Sequence, residues 1–254
     1  MREGEPTKVC STCGPGHSDE ECPKKRTEVG VEMAESPRSF DPELLKGEEW
    51  LDFFIAFQQN QGVNPGSEQK IAQRMLEHAR DFNGEQFFYG IRDKTGRLAV
   101  TGKLEISLNN EGEKEAGLSS LTVAREYRGK KFDGEKLSKK ITDARIAKAK
   151  EEGCKHVKTD VFSANPSVVE ALAVKLNDGY RVEGFEIYPP RKGANEEMGR
   201  YLLKKRIDSE PDVTLSAEQI EVPLKEFQAI IDATGSGWVG TEVKNNTLVL
   251  RRKE

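Results

Sequence analysis

Four side chains near the start of the chain, Cys10, Cys13, His17 and Cys22, have the types and spacing to hold a metal ion. The pattern is Cys-x2-Cys-x3-His-x4-Cys. Two thiolates two residues apart can bind one tetrahedral ion, and a Gly-Pro-Gly turn can bring His17 back to the same centre. Three sulfurs and one nitrogen leave no open position, so the expected ion is a structural Zn2+. Such a site supplies roughly 10–16 kcal/mol of apparent binding energy at neutral pH, enough to order a segment that has no core. A second group of residues suits phosphate. An apolar run through Leu118, Leu121 and Val123 reads as a strand. It feeds a turn carrying Arg128, Gly129, Lys130 and Lys131, and Asp133 and Gly134 then open a helix. The first amides of a helix have no internal partner and carry partial positive charge, so an anion is held there.

These groups must be positioned by the rest of the chain. Residues 27–33 alternate enough to be a strand. Asp41 and Pro42 suit a helix start, with Leu44, Leu45, Trp50, Phe53, Phe54 and Phe57 on one face. Residues 67–82 form a second helix capped by Ser67, with Ile71, Met75, Leu76 and Ala79 inward. Residues 86–93 and 97–107 make a hairpin around a Lys-Thr-Gly turn. Residues 133–152 read as a long helix with Leu137, Ile141, Ala144 and Ala147 inward and its lysines in solvent. Gly153 ends it. Strands follow at 154–162, 180–188 and 199–207. The tail has an extended run at 213–223, a short amphipathic helix at 224–234 and a hairpin around Asn245 and Asn246. That tail is too small for a robust core of its own and is expected to dock on the main domain or on a partner. His78, Cys154 and His156 read as ordinary surface or core residues.

The phrase LTVAREYRGKKFDGEKL, which begins with the end of the strand at Val123, resembles the acetyl-CoA-binding core of the GNAT acetyltransferase superfamily. The segment SANPSVVEALAVKLNDGYRVEG is similar to that family's next strand exit and helix. The likeness covers residues 27–207. It implies an α+β fold, a mixed and mainly antiparallel sheet flanked by helices, with acetyl-CoA as co-substrate. Carried over, Leu121 and Val123 lie on the strand that pairs with pantetheine. Arg128, Gly129, Lys130, Lys131 and Gly134 lie on the pyrophosphate loop, and Asn165 follows the next strand. The family's two glycine positions are occupied here by Lys131 and Asp133, and its general-acid Tyr position by Lys175. Glu105, by position on its strand, is a candidate base beside Ser119 and Ser120. The Cys-Cys-His-Cys segment resembles a zinc knuckle with one residue missing before the His.

Three parts are therefore expected: a zinc-binding arm at 1–26, a GNAT-like domain at 27–207, and a short αβ extension at 208–254. The expected activity is transfer of acetyl to an amine acceptor, with a protein among the candidates. The alternative is a GNAT-fold assembly protein with reduced catalysis, whose arm and extension make protein contacts. The formal net charge of −4 argues against a general nucleic-acid surface. The arm has no aromatic residue and carries Asp19, Glu20 and Glu21, which points to protein contact instead. No apolar run approaches the ~20 residues needed to span a bilayer. The first ten residues have no apolar stretch of a secretory signal. With cysteines suited to metal and not to disulfides, a cytoplasmic protein is expected.

Overall fold

The computed structural model describes residues 41–63, 66–188, 198–208 and 213–254. The metal-ligand set Cys10, Cys13, His17 and Cys22 and the strand expected at 27–33 lie outside the described residues. Among the described residues, ten strands form one sheet. In chain order they are β1 (Glu43–Leu44), β2 (Glu85–Arg92), β3 (Leu98–Leu108), β4 (Lys114–Val123), β7 (His156–Phe162), β8 (Arg181–Tyr188), β9 (Met198–Arg206), β10 (Leu215–Pro223), β11 (Trp238–Lys244) and β12 (Thr247–Lys253). Two more, β5 (Lys131–Phe132) and β6 (Glu135–Lys136), make a separate small ribbon. Across the sheet the order is β1-β2-β3-β4-β7-β9-β8-β11-β12-β10. Among the described strands only β4 and β7 pair parallel. The mixed, mainly antiparallel α+β sheet matches the expected fold class.

Alternation of side chains along β2 and β3 decides which helices cover which face. Phe88 points to one face, against Phe53 and Phe54 of α1 (Trp50–Asn60), with ring centroids 4.9 and 5.5 Å away. Here α2 (Glu68–Arg80) adds Ala72 and Leu76. Tyr89 and Ile91 point to the other face, into the large core shared with α3 (Leu137–Glu151) and α4 (Val168–Asn177). The β2–β3 turn closes because the Asp93 carboxylate accepts the amides of Thr95 (2.9 Å) and Arg97 (3.1 Å), while Gly96 takes a left-handed φ of +87°.

Several expected boundaries move. Residues 43–44 join the sheet beside Tyr89 and Gly90, and the helix begins only at Trp50. Arg92 explains this, since it pairs with Glu43 (2.6 Å) and Glu49 (2.7 Å) and draws the segment to the sheet edge. In α2 the inward residues include Ala72, whereas Ile71 is exposed. Ser67 occupies the N-cap position without a side-chain bond. In α3 the buried stripe is Leu137, Ile141, Arg145 and Ala149, spaced by four. Ala147 is exposed.

The C-terminal segment continues the main sheet. Gly240 of β11 pairs with Val182 of β8. Phe227 of α5 (Phe227–Gly235) stacks on Phe185 at 4.5 Å, and the Tyr201 hydroxyl donates to the Leu224 carbonyl (2.6 Å). Val222, Leu224, Ile230, Leu248 and Leu250 enter the large core. Asn245 and Asn246, both with positive φ, turn β11 into β12 as the sequence suggests.

Candidate active site

The parallel pair β4 and β7 is short. Glu115, Ala116 and Gly117 lie opposite His156, Val157 and Lys158, and the ladder stops there. The Thr159 hydroxyl then donates to the Leu118 carbonyl (3.2 Å) just as the strands part. On the face away from α3 and α4, a cleft of about 440 Å³ opens at this parting. Glu105, Ser119, Thr159, Asp160 and Arg200 line it. Its charges are paired. Lys103 holds Glu105 at 2.8 Å, Arg200 bridges Asp160 (3.0 Å) and Glu186 (2.8 Å), and Lys204 reaches Glu115 (3.2 Å). The Ser119 hydroxyl also donates to Glu105 (3.3 Å).

On the other side of the parting, β4 is bulged. Lys103 lies opposite Ser119, but Thr101 lies opposite Thr122, so Ser120 and Leu121 together face Gly102. Ser120 adopts a left-handed φ of +53°, a costly conformation for a residue with a side chain. Bulges re-aim peptide groups and cluster beside active sites. The Thr101 hydroxyl donates to the Ser120 carbonyl (3.3 Å) and lies 2.8 Å from the Thr122 hydroxyl. Arg145, 1% exposed, sits beneath the bulge. Burial pushes its pKa down to about 10, so it stays charged at neutral pH.

The loop from β4 to α3 differs from the expected helix start at Asp133 and Gly134. A 3-10 turn at Arg125–Tyr127 leads to Gly129, and β5 and β6 then fold as a two-residue hairpin on Asp133 (φ +52°) and Gly134 (φ +82°). Two consecutive left-handed residues, Asp then Gly, make the type I′ turn. Asp133 therefore does not open the helix. Its carboxylate pairs with Lys140 (3.6 Å), and α3 starts at Leu137. Arg128 turns back, donating to the carbonyls of Val123 (2.9 Å) and Asn60 (2.5 Å) and tying the end of β4 to α1. Lys130 and Lys131 are exposed near the start of α3.

Asn165 has a local role at the start of α4. Its side-chain oxygen accepts the Ser167 amide (2.9 Å) and its carbonyl accepts the Val168 amide (3.0 Å). Lys175 lies in the last turn of α4, with Nζ 4.9 Å from the centre of the Tyr180 ring. Burial, with the nearby Arg145 and Lys205 charges, brings Lys175 down to about 8. The Tyr180 hydroxyl is buried without a hydrogen-bond partner among the described residues, and burial pushes it up to about 12. Cys154 is buried and its thiol pKa is raised by burial, as suits a core residue. The structure thus gathers Glu105 and Ser119 at the cleft and places Leu121 in the bulge. Arg128 is drawn away from the loop tip. Thr101, Arg145, Thr159, Asp160 and Arg200 were not foreseen.

The acetyltransferase (GNAT) family model matches residues 50–173, the stretch that contains the bulge, the parting and the loop. Among solved structures, one described as a "putative phosphinothricin N-acetyltransferase" superposes with a TM-score of 0.51 at 14% identity, covering 66% of this chain and 98% of that one. This is a GNAT acetyltransferase fold. The ribosomal-protein-S18-alanine N-acetyltransferase from Escherichia coli also matches, with 15% identity, a TM-score of 0.47 and coverage of 67% and 96%. No curated protein matches the sequence significantly. β8, β9, β10, α5, β11 and β12 lie beyond the residues that the family model matches. Among the described residues, no group of three or more His, Cys, Asp or Glu side chains could hold a metal, and no helix is long and apolar enough to cross a membrane.

Proposed function

We propose that this protein moves acetyl from acetyl-CoA to an amine. The observation that carries the reading is the parting of β4 and β7 beside a bulged β4, with a cleft of paired charges on the opposite face. The pantetheine arm would lie along β4 near Leu121 and Val123, on the α3–α4 side. Its phosphates would lie near Gly129, Lys130, Lys131 and Gly134 at the start of α3, with Asn165 at the far wall. The amine would enter from the cleft, beside Glu105 and Asp160.

Chemically, the amine nitrogen must be neutral to attack the thioester carbonyl. Glu105 would accept its proton, directly or through Ser119. The C–N bond forms, the C–S bond breaks, and the sulfur leaves as a thiolate. Lys175, with its pKa near 8, is the group suited to protonate that sulfur. Polarising donors along β4 would stabilise the oxyanion formed between these steps. The acceptor is an amine of a small molecule or of an exposed protein segment.

The Cys10, Cys13, His17 and Cys22 set supplies the donors for a structural Zn2+, a reading that rests on their spacing. Metal analysis of the purified chain should return one zinc per molecule, lost in a Cys10→Ser/Cys13→Ser variant. The arm at 1–26 and the extension at 208–254 are the parts suited to a protein partner, and reduced thiols suit a cytoplasmic setting.

The tight hairpin at 131–136, in place of an open glycine loop, favours a second reading, a GNAT scaffold kept for assembly. One experiment separates the two. Acetyl-CoA is titrated calorimetrically into the protein, and release of free CoA thiol is then followed with spermidine, glucosamine, lysine and an alanine-ended peptide as acceptors. Micromolar binding with thiol release supports the transferase. Absence of binding by folded protein would leave the assembly reading standing.

A further inference from the structure

We propose that Arg145 is a positioning residue for acyl transfer, holding the β4 bulge from beneath in the shape that meets the thioester. The inference rests on the acetyltransferase reading. Arg145 is 1% exposed, and no carboxylate among the described residues neutralises it. Burying an unpaired guanidinium is costly, and an apolar side chain of similar volume would fill the space without that cost. The compensation lies in what the guanidinium touches.

One nitrogen, Nη1, donates to the carbonyls of Lys103 (3.1 Å) and Ser119 (3.0 Å), on the two strands that flank the bulge. The orientation of the fork is itself fixed. Nη2 donates to the Thr142 hydroxyl (3.2 Å) and Nε approaches the Ile141 carbonyl (3.4 Å), both on the helix that carries Arg145. The opposing strand makes room for it. A Cβ on Gly102 would lie 2.6 Å from Ile141 Cγ2 and 3.1 Å from Arg145 Cζ. Thr101 completes the arrangement from β3 by donating to the Ser120 carbonyl. Side-chain donors thus take the carbonyls of Lys103, Ser119 and Ser120, while Ser120 keeps its left-handed φ. A strained residue persists only where its surroundings over-determine it, and here they do. The bulge is therefore clamped from the cofactor side of the sheet, at the point where the cleft side opens.

The clamp predicts a loss in the chemical step and not in cofactor capture. The probe is acetyl-CoA, with thiol release measured alone and with the four acceptors above. In the background reaction water attacks the acetyl carbon, the C–S bond breaks, and acetate and CoA thiol leave. The variants are Arg145→Met, Arg145→Lys and Thr101→Val. Arg145→Met should lower kcat about 100-fold, the scale of losing one oxyanion donor, with KM for acetyl-CoA within about threefold. Arg145→Lys, which keeps a charge but not the fork, should recover about tenfold of that loss. Thr101→Val should lower kcat about fivefold, since it removes the neutral bond to the Ser120 carbonyl together with the contact to the Thr122 hydroxyl. If Arg145→Met does not fold, the other two variants carry the test. Unchanged kcat in folded Arg145→Lys and Thr101→Val, or a change confined to KM, overturns the inference. A wild-type protein that neither binds acetyl-CoA nor releases its thiol overturns the function reading, and the clamp with it.

Discussion

The two ends of the candidate cofactor site are held by different forces. At the inner end, where the thioester would sit, the backbone is fixed by buried groups: Arg145 at 1% exposure, Thr101 at 0% and Gly102 against Ile141. At the outer end, where phosphates would sit, the chain is a surface hairpin on Asp133 and Gly134, surrounded by exposed lysines. The inner end works in a low dielectric, where each bond is worth more and each unmet group costs more. The outer end works in water, where single charges are worth little and salt screens them. Mutational sensitivity should therefore fall steeply from the inner end to the outer.

The largest effect should come from Gly102→Val. A side chain there meets Ile141 and Arg145 at once, and neither can retreat, since Ile141 is fully buried and Arg145 is bonded to two strands. Overpacking of this kind should cost about 3 kcal/mol. Thermal unfolding should show a fall on the order of 10 °C. A loss of less than 2 °C would mean that the space beneath the bulge is not rigid.

Much of the frame can be read from sequence and the inner end cannot. The β2–β3 hairpin, β4, β7 and the β11–β12 turn follow from alternation and turn residues. Arg145 escaped because α3 is rich in lysine and its cations read as one solvated face. The signal was present in the four-residue spacing of Leu137, Ile141, Arg145 and Ala149, which places the arginine on the buried stripe. Gly102 and Thr101 carried no local signal, since a bulge depends on the register between two strands. The outer end misled for a different reason. Asp-Gly before an amphipathic run suits a helix start and a type I′ turn equally, and only the pairing of Lys131 with Lys136 decides between them.

Lys175 lies on the inner side of the comparison, and its stability and activity effects should oppose each other. Its folded pKa is lowered to about 8, below the 10.5 of a free lysine. Below pH 8 the folded chain bears the full cost of a charged, desolvated amine. That cost is relieved as pH rises from 8 toward 10.5, where the unfolded chain holds more protons. Lys175→Met should therefore raise the melting temperature at pH 7. It should also lower kcat about 100-fold and remove a decline in kcat above pH 8, if Lys175 protonates the leaving thiolate. A variant that is more stable and equally active would remove it from the mechanism.

At the outer end, Lys130→Glu/Lys131→Glu should weaken acetyl-CoA binding about tenfold at low salt, from charge near a helix start. Calorimetry in 0.5 M salt should shrink the difference to about twofold. An effect that survives salt would mean that the two lysines make close, desolvated contacts, and the contrast between the ends would narrow.

The smallest effect should come from Asp133→Asn. Asn suits the first position of a type I′ turn as well as Asp does, so the hairpin should keep its shape. What is lost is the pair with Lys140, 3.6 Å long and largely exposed on the Asp side, which is worth at most about 0.5 kcal/mol. What is gained is one negative charge fewer beside the phosphates. Stability should therefore change little, while acetyl-CoA affinity rises about twofold at low salt and not at high salt. A loss of more than 1.5 kcal/mol, or weaker binding, would show that Asp133 is part of a built site, and that the outer end is as tightly specified as the bulge.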